Sequence, residues 1–500
     1  MRVESLLKNQ AQKEFVAIIH GHESITYADW HKQSRNLSEK INEYTQCCQR
    51  HIGILLPNSI DFAVSYFACV YAHKIIVPID VDATSHEIMK IIEFCEIDCL
   101  ITTTAIFLEK LSRLEQYQYQ LNCILVDAGG LAVINRERPY IKKTIDLNPD
   151  YNYETPYLIL HTSGTTNNPQ YVMLSQKNIM SSLQASMALL KITEESSSLI
   201  VLPMQYVYCH TSQFLLHVYA GAQIVIADEL STPQYLLTLV QNYGITNFAS
   251  VPSLLIGLAD YKGSSSFDLL SLEFICFGGG MMQSEILKRL MHRYSSVKFL
   301  QGYGLTECSS RVTLSPEDSV HSKFGSVGKP VPGVTVNILD PNGKTLAPGE
   351  TGEIVVSGNN VMVGYFKQDD ETKKVLADQR FYTGDVGYLD ADGFLYLCGR
   401  KKNIIIRGGK NIFPEEIETI LLLHPRIHDA YVYKKENQYY GEVPCAKLVA
   451  EGDVTKETVI AHCRGYLSEY KIPRIIQFVQ MIQKTCNGKV KRENEWIRAL

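Results

Sequence analysis

HIGILLPNSIDFAVSYFACVYAHKIIVPID, residues 51–80, decides the fold class. It opens on an apolar β-rich run, HIGILLPNS, passes through the helix-length segment IDFAVSYFACVYAH, and closes on a second β-rich run, IIVPID. A strand, a helix and a strand in that order are the unit of parallel α/β architecture. Downstream, SHEIMKIIEF and CLITTT extend the rhythm, which returns in SLIVLPM, AQIVIAD, ITNFASVPS and LEFICFGGG, with the helix-like PQYLLTLVQNYG among them. Upstream, Thr26 is placed to cap a helix, with Asp29 three residues on and Trp30, Leu37 and Ile41 on one face.

From about Phe324 the texture changes. GSVGKPVPGVTVNILDPNGKTLAPGETGEIVVSG is rich in Gly, Pro and β-branched residues, and its DPNG reads as a hairpin turn, so this part is expected to be antiparallel β. Beyond GFLYLCGRKKNIII the chain becomes charged and mixed, with a helix in PEEIETILLLH, strands near AYVYKK and VPCAKLVA, and a helix in VTKETVIAHCRGYLSEY. The expected division is residues 1–400 as a large N-terminal domain and 401–500 as a small α+β C-terminal domain.

The 500 residues exceed what one hydrophobic core organises, and the 45% apolar and 20% charged content is that of a packed globular protein. A net charge of -5 gives no electrostatic basis for nucleic-acid binding. The first residues lack a basic start followed by an apolar run, and no stretch is long and apolar enough to span a bilayer, so a cytoplasmic location is expected. Thirteen scattered cysteines without a C-x-x-C read as reduced core thiols. Cys95 and Cys99, at helical spacing, have no histidine nearby in sequence to complete a metal site.

Thr162, Ser163, Gly164, Thr165 and Thr166 follow the apolar strand YLIL. A hydroxyl-rich turn at a strand end offers N–H and O–H donors to phosphate oxygens, although an ordinary loop uses the same residues and the Walker spacing G-x-x-x-x-G-K-S/T is absent. In full, H-T-S-G-T-T-N-N-P-Q-Y-V (161–172) resembles the phosphate loop of the adenylate-forming superfamily, which includes acyl-CoA synthetases, luciferases and amino-acid adenylation domains. The usual form there is T-S-G-T-T-G-x-P-K-G-V. Here Asn167 stands for a glycine, Gln170 for the lysine and Tyr171 for the second glycine. An amide lacks the positive charge that lysine offers to β- and γ-phosphates, and Lys177 is a nearby candidate to supply it.

Four further stretches continue the resemblance in family order. Tyr303-Gly304-Leu305-Thr306-Glu307 is similar to Y-G-x-T-E, which implies adenine stacking for Tyr303, α-phosphate contact for Thr306 and Mg²⁺ for Glu307. Thr383-Gly384-Asp385 and Gly399-Arg400 resemble the T-G-D and G-R signatures, implying a ribose clamp from Asp385 and Arg400. Lys402 falls at the implied hinge, and Gly408 and Gly409 match a loop that lines the pantetheine channel after domain rotation. Lys484-Thr485-Cys486-Asn487-Gly488-Lys489 resembles the closing P-K-T-x-x-G-K, with Gln483 where proline is common, and implies that Lys489 bridges substrate carboxylate and α-phosphate.

The matches span nearly the whole chain. They imply an α/β fold with a large N-terminal domain of α/β subdomains plus a β-barrel-like part and a small mobile C-terminal domain. They also imply ATP- and Mg²⁺-dependent activation of a carboxylic acid, fatty or aryl, to an acyl adenylate, followed by transfer to a thiol. Coenzyme A is the default thiol, and the phosphopantetheine of an acyl carrier protein is the alternative. The implied acyl pocket takes Tyr206, Tyr208, Gly278, Gly279 and Gly302, with Gly280 beside the nucleotide. Leu202 to Phe214 carry no acidic residue, which disfavours an α-amino acid substrate. A paralogue that binds nucleotide or acyl ligand without turnover is the competing reading, motivated by Gln170 and Tyr171 and opposed by Glu307, Asp385, Arg400 and Lys489.

Overall fold

Strand His51–Leu55, helix Ile60–Tyr71 and strand Ile75–Pro78 form the expected unit, the two strands pairing in parallel with His51 opposite Ile75. The computed structural model describes residues 1–45, 51–112, 121–127, 130–134, 152–162, 170–228, 232–280, 282–317, 319–320 and 322–483. Ser59 starts the helix by accepting a hydrogen bond from Phe62 N, and Phe62 to Tyr71 are buried without interruption. A helix apolar on every side must be covered on every side, and Tyr27–Tyr44 supplies one of the covers. Thr26 caps that second helix by accepting from Asp29 N, as its sequence predicts.

Among the described residues two large sheets build the N-terminal domain. In the first, eight strands run from Gly364–Tyr365 through Gln170–Ser175, Pro156–Thr162, Ile75–Pro78, His51–Leu55, Cys99–Thr102 and Asn122–Asp127 to Gly130–Ile134. In the second, nine strands centre on the parallel set Gln223–Ile226, Ser197–Ile200, Asn247–Ser250, Phe274–Phe277 and Lys298–Leu305. One core joins both, with Ile52, Ile54 and Leu158 from the first sheet and Ile18, Ile200 and Ile224 from the second. Trp30, Tyr66, Phe67 and Phe214 fill its centre, ring centroids 5.4 Å apart for Trp30–Phe67 and 5.7 Å for Tyr66–Phe214. In open α/β sheets ligands gather at the carboxyl ends of strands. Those ends deliver Asn58, Asp80 and Thr162 from one sheet and Leu202, Gly278 and Thr306 from the other.

The β-rich part is antiparallel, as expected: Val334–Leu339, Gly352–Gly358, Arg380–Leu389 and Leu376–Ala377 in order, with Leu395–Arg400 paired to Arg380–Leu389. DPNG turns on Gly343 N donating to Asp340 O at 3.0 Å. The C-terminal elements form their own sheet with helices Pro414–Leu422 and Lys456–Arg464, around a separate core from Ile405 to Ile476. Cys95 and Cys99 do not share a helix. Glu96, at φ 52°, ends helix Ser85–Phe94 beyond Cys95, and Cys99 opens the strand Cys99–Thr102. Both thiols are buried and free, and burial holds them protonated by raising their pKa. Among the described residues no cluster of three His, Cys, Asp or Glu is disposed to hold a metal ion.

Candidate active site

Tyr303, Asp385 and Arg400 converge although they come from three strands. Register places Asp385 directly opposite Arg400, because Arg380–Leu389 and Leu395–Arg400 pair as a hairpin around the Asp390–Gly393 turn. Arg400 Nε lies 2.7 Å from Asp385 Oδ1, and the Tyr303 hydroxyl donates to Asp385 Oδ2 at 2.7 Å. Asp385 N donates to Thr383 Oγ1, whose own hydroxyl is spent on the Ile354 carbonyl. The Asp385 side chain is 9% exposed and that of Arg400 40%, so the pair sits at the mouth of a buried region. Burial, and then the Asp385 carboxylate, push the Tyr303 phenol up and keep it a donor.

Strand Lys298–Leu305 runs on into a tight turn, Thr306–Cys308, which presents Thr306 and Glu307 beside Tyr303. Glu307 is half-buried, and burial raises its pKa while the Tyr365 hydroxyl, 2.9 Å from Oε1, opposes the rise. Tyr365 is fixed by the pairing of Gly364–Tyr365 with Met173 and Val172, and by its N–H to Thr372 Oγ1. The sequence reading missed Tyr365, since nothing local marks a tyrosine whose partner is 58 residues away. A carboxylate with one oxygen oriented by a phenol retains hard oxygen lone pairs for a divalent cation, so Glu307 fits the Mg²⁺ expected there.

Of the phosphate loop, Thr162 is described, at the end of strand Pro156–Thr162 opposite Gln170; Ser163, Gly164, Thr165 and Thr166 lie outside the described residues. Tyr171 is accommodated by a specific contact: it is 3% exposed and stacks on Phe94 at 4.6 Å and 24°. Strand alternation then turns Gln170 to the opposite face, which Val172 shares with its partner Tyr365. Lys177, weighed as a substitute for the missing lysine charge, is at the wrong end. It pairs with Glu154 at 2.9 Å, beyond the Pro156–Ser175 end of a hairpin whose six-residue span separates it from Thr162 by about 20 Å.

The residues expected to line an acyl pocket gather where the two sheets meet. Asn58 holds the segment after Ile200 by donating to Leu202 O at 2.9 Å and accepting from Met204 N at 2.7 Å. Asp80 holds its continuation, accepting from Tyr206 OH at 2.5 Å and Gln205 Nε2 at 3.2 Å. Neither anchor was assigned a role from sequence. A Cβ at Gly278 would lie 2.7 Å from the Gly302 carbonyl oxygen and 3.9 Å from the Tyr208 hydroxyl, so Gly278, Gly302 and Tyr208 form one wall. Gly279 needs its φ of 78°, and Gly280 follows against Pro252.

Lys402 is exposed in the turn Lys401–Asn403 that links the last strand of the β-rich part to the C-terminal sheet. Lys401 reaches back to Glu353 at 2.7 Å, and Asn403 reaches forward to Glu415 at 2.9 Å. Gly408 and Gly409 turn with φ of 55° and 80°. Lys489 lies outside the described residues.

Comparison with known proteins identifies the family. Residues 7–366 match the family model for AMP-binding enzymes, and residues 416–489 match that for the AMP-binding enzyme C-terminal domain. A 2-succinylbenzoate–CoA ligase of Bacillus velezensis is 30% identical, over 97% of this chain and 95% of that protein. The o-succinylbenzoate CoA synthetase of Bacillus subtilis, solved with its acyl-adenylate intermediate, superposes with a TM-score of 0.85 at 26% identity, covering 99% of this chain and 98% of the other. The same synthetase solved with ATP and magnesium ion gives a TM-score of 0.85 at 26% identity over 97% and 98% of the two chains.

Proposed function

The chain belongs to the AMP-binding enzyme family, and on that premise we propose that it is an acid–CoA ligase working through an acyl adenylate. The observation that carries the reading is the convergence of Tyr303 and Arg400 on Asp385, with Glu307 beside them. A carboxylate held between a phenol and a guanidinium is a fixed acceptor for ribose hydroxyls, and Arg400 can donate to the same sugar. The Tyr303 hydroxyl is occupied, which leaves its ring face for adenine.

In the first half-reaction an oxygen of the acid attacks the α-phosphorus of ATP and pyrophosphate departs. In the second, the thiolate of coenzyme A attacks the acyl carbon and AMP departs. Mg²⁺, when bound at Glu307, neutralises phosphate charge. Thr306 and Thr162, with Ser163, Gly164, Thr165 and Thr166, bind the phosphates. Lys489 stabilises negative charge developing between the acid and the α-phosphate, which is the largest kind of contribution a positioned side chain makes in such a site. Tyr206, Tyr208, Gly278, Gly279 and Gly302 line the acyl pocket, and Gly280 lies toward the nucleotide.

Substrate and organisation follow in the same reading. The acid is an aryl acid rather than a fatty acid, as the succinylbenzoate of the relatives suggests, and an α-amino acid is disfavoured because Asp80 is already engaged by Tyr206, Gln205 and the N–H of Asp82. The domains divide at 400/401, with Lys402 as hinge, which the self-contained core from Ile405 to Ile476 supports. No helix among the described residues is long and apolar enough to cross a membrane, and we place the enzyme in the cytoplasm with no nucleic-acid partner.

Acid-dependent exchange of pyrophosphate into ATP, followed by AMP release with and without coenzyme A, tests the reading, with Lys489→Ala as the control. Exchange by wild type and its loss in the variant are expected, with AMP release stimulated by coenzyme A. Exchange without that stimulation gives the acyl group to a carrier protein instead. No exchange from folded protein with any acid leaves a ligand-binding paralogue.

A further inference from the structure

Among the described residues Arg311 is a cation enclosed in the core without an anion paired to it. It is 4% exposed on strand Ser310–Leu314, in register with Gly304 of the strand that carries Gly302 and Tyr303. Among the described residues its guanidinium makes one hydrogen bond, from Nη1 to Ser186 Oγ at 2.8 Å, and no ion pair. The described side chains bonded at this point are neutral. Ser186 is itself buried, and Ser310 is bonded to Ser212 through their hydroxyls at 2.7 Å. Burial pushes both the Tyr208 phenol and the Cys276 thiol up, and the Arg311 charge opposes the rise at each.

A guanidinium is a permanent cation with five donors, and enclosing one beside hydroxyls alone is costly, because a buried charge needs a partner charge or a full set of hydrogen bonds. The strand of Arg311 pairs with the one that carries Gly302, and Gly302 forms a wall with Gly278 and Tyr208, so the space next to Arg311 is the acyl pocket of the reading above. The reacting carboxylate must face Thr306 and ATP. A second anion on the same acid is the group that would complete the arginine.

Resting on the ligase reading above, we propose that Arg311 is a specificity-determining residue that pairs with a second carboxylate on the acid, making this a ligase for dicarboxylic acids. A planar fork suits a carboxylate in a two-point contact, which a lysine could not reproduce.

The test uses matched acids with and without the second carboxylate: 2-succinylbenzoate against 4-oxo-4-phenylbutanoate, phthalate against benzoate, glutarate against pentanoate. Pyrophosphate exchange gives the ratio of kcat/KM within each pair, for wild type, Arg311→Lys and Arg311→Gln. Wild type should favour the diacid of its accepted pair by at least about tenfold, the low end for a charge-assisted contact. Arg311→Gln should bring the ratio near one and Arg311→Lys should fall between. A ratio near one in wild type, or one unchanged in Arg311→Gln, overturns the proposal, and a ratio is insensitive to partial loss of folded protein. If no acid supports exchange, the ligase reading fails separately. Thermal stabilisation by each diacid then decides: stabilisation present in wild type and absent in Arg311→Gln supports the proposal, and stabilisation equal in the two, or absent from both, overturns it.

Discussion

The Tyr365 hydroxyl donates a 2.9 Å hydrogen bond to Oε1 of Glu307, so the carboxylate assigned to Mg²⁺ is aimed by a side chain from a different sheet strand. Tyr365→Phe keeps the ring, which is 3% exposed, and removes that bond alone. The Mg²⁺ concentration for half-maximal exchange should rise about three- to tenfold, the equivalent of about 1 kcal/mol for one hydrogen bond. A magnesium titration at saturating ATP measures it, and an unchanged midpoint removes Tyr365 from the site.

Asp385→Asn replaces the acceptor between Tyr303 and Arg400 by an isosteric amide and leaves Arg400 without its counter-charge. Because Arg400 is partly solvated, losing the acceptor shared by two donors should cost about 1.5–3 kcal/mol, hence about ten- to a hundredfold in kcat/KM for ATP. The KM for the acid should move far less. Equal effects on both substrates would argue against a ribose role.

Gln170 shares a strand face with the partner of Tyr365, on the Glu307 side of the sheet, so a lysine there would project its charge toward the nucleotide. Gln170→Lys should lower the KM for ATP about threefold or more without changing the acid preference. Tyr171→Gly, by contrast, removes the buried stack on Phe94 and should cost about 3 kcal/mol of stability, read from the thermal midpoint.

Acid should destabilise the N-terminal core through two histidines. Burial pushes His210 down to about 3 and His217 down to about 4, against about 6.5 in the unfolded chain. Between those values the unfolded chain binds protons that the folded chain does not, so stability is lost as pH falls below about 6.5. Each histidine contributes a slope of about 1.4 kcal/mol per pH unit, or about 2 kcal/mol by pH 5. Urea denaturation at pH 7.5 and 5 should show the fall, and His210→Phe should lessen it; parallel behaviour of variant and wild type would contradict this account.

Much of the fold was legible because its signals are local. The run from His51 to Asp80, the Thr26 cap and the DPNG turn each sit within a few residues of what they determine. Tyr303, Asp385 and Arg400 were legible only through motif spacing, since the bond from Tyr303 to Asp385 spans 82 residues. Asp80 with Tyr206, 126 residues apart, Tyr365 with Glu307, and Arg311 with Ser186 belong to no local pattern; they exist because distant strands end at the same place. Periodicity misled at Cys95 and Cys99, where the helix ends at Glu96. It could not place Lys177, whose distance from Thr162 is fixed by the length of a hairpin.

Among the described residues the core from Ile405 to Ile476 takes no side chain from the N-terminal domain, and polar links such as Lys401 to Glu353 lie around the turn between them. Turning the small body about that point would part Phe413 from Gly399 and break exposed ion pairs worth about 1 kcal/mol or less each. A hinge at that turn, as proposed above, would be held in part by charge, and added salt should weaken those polar links before it weakens either core.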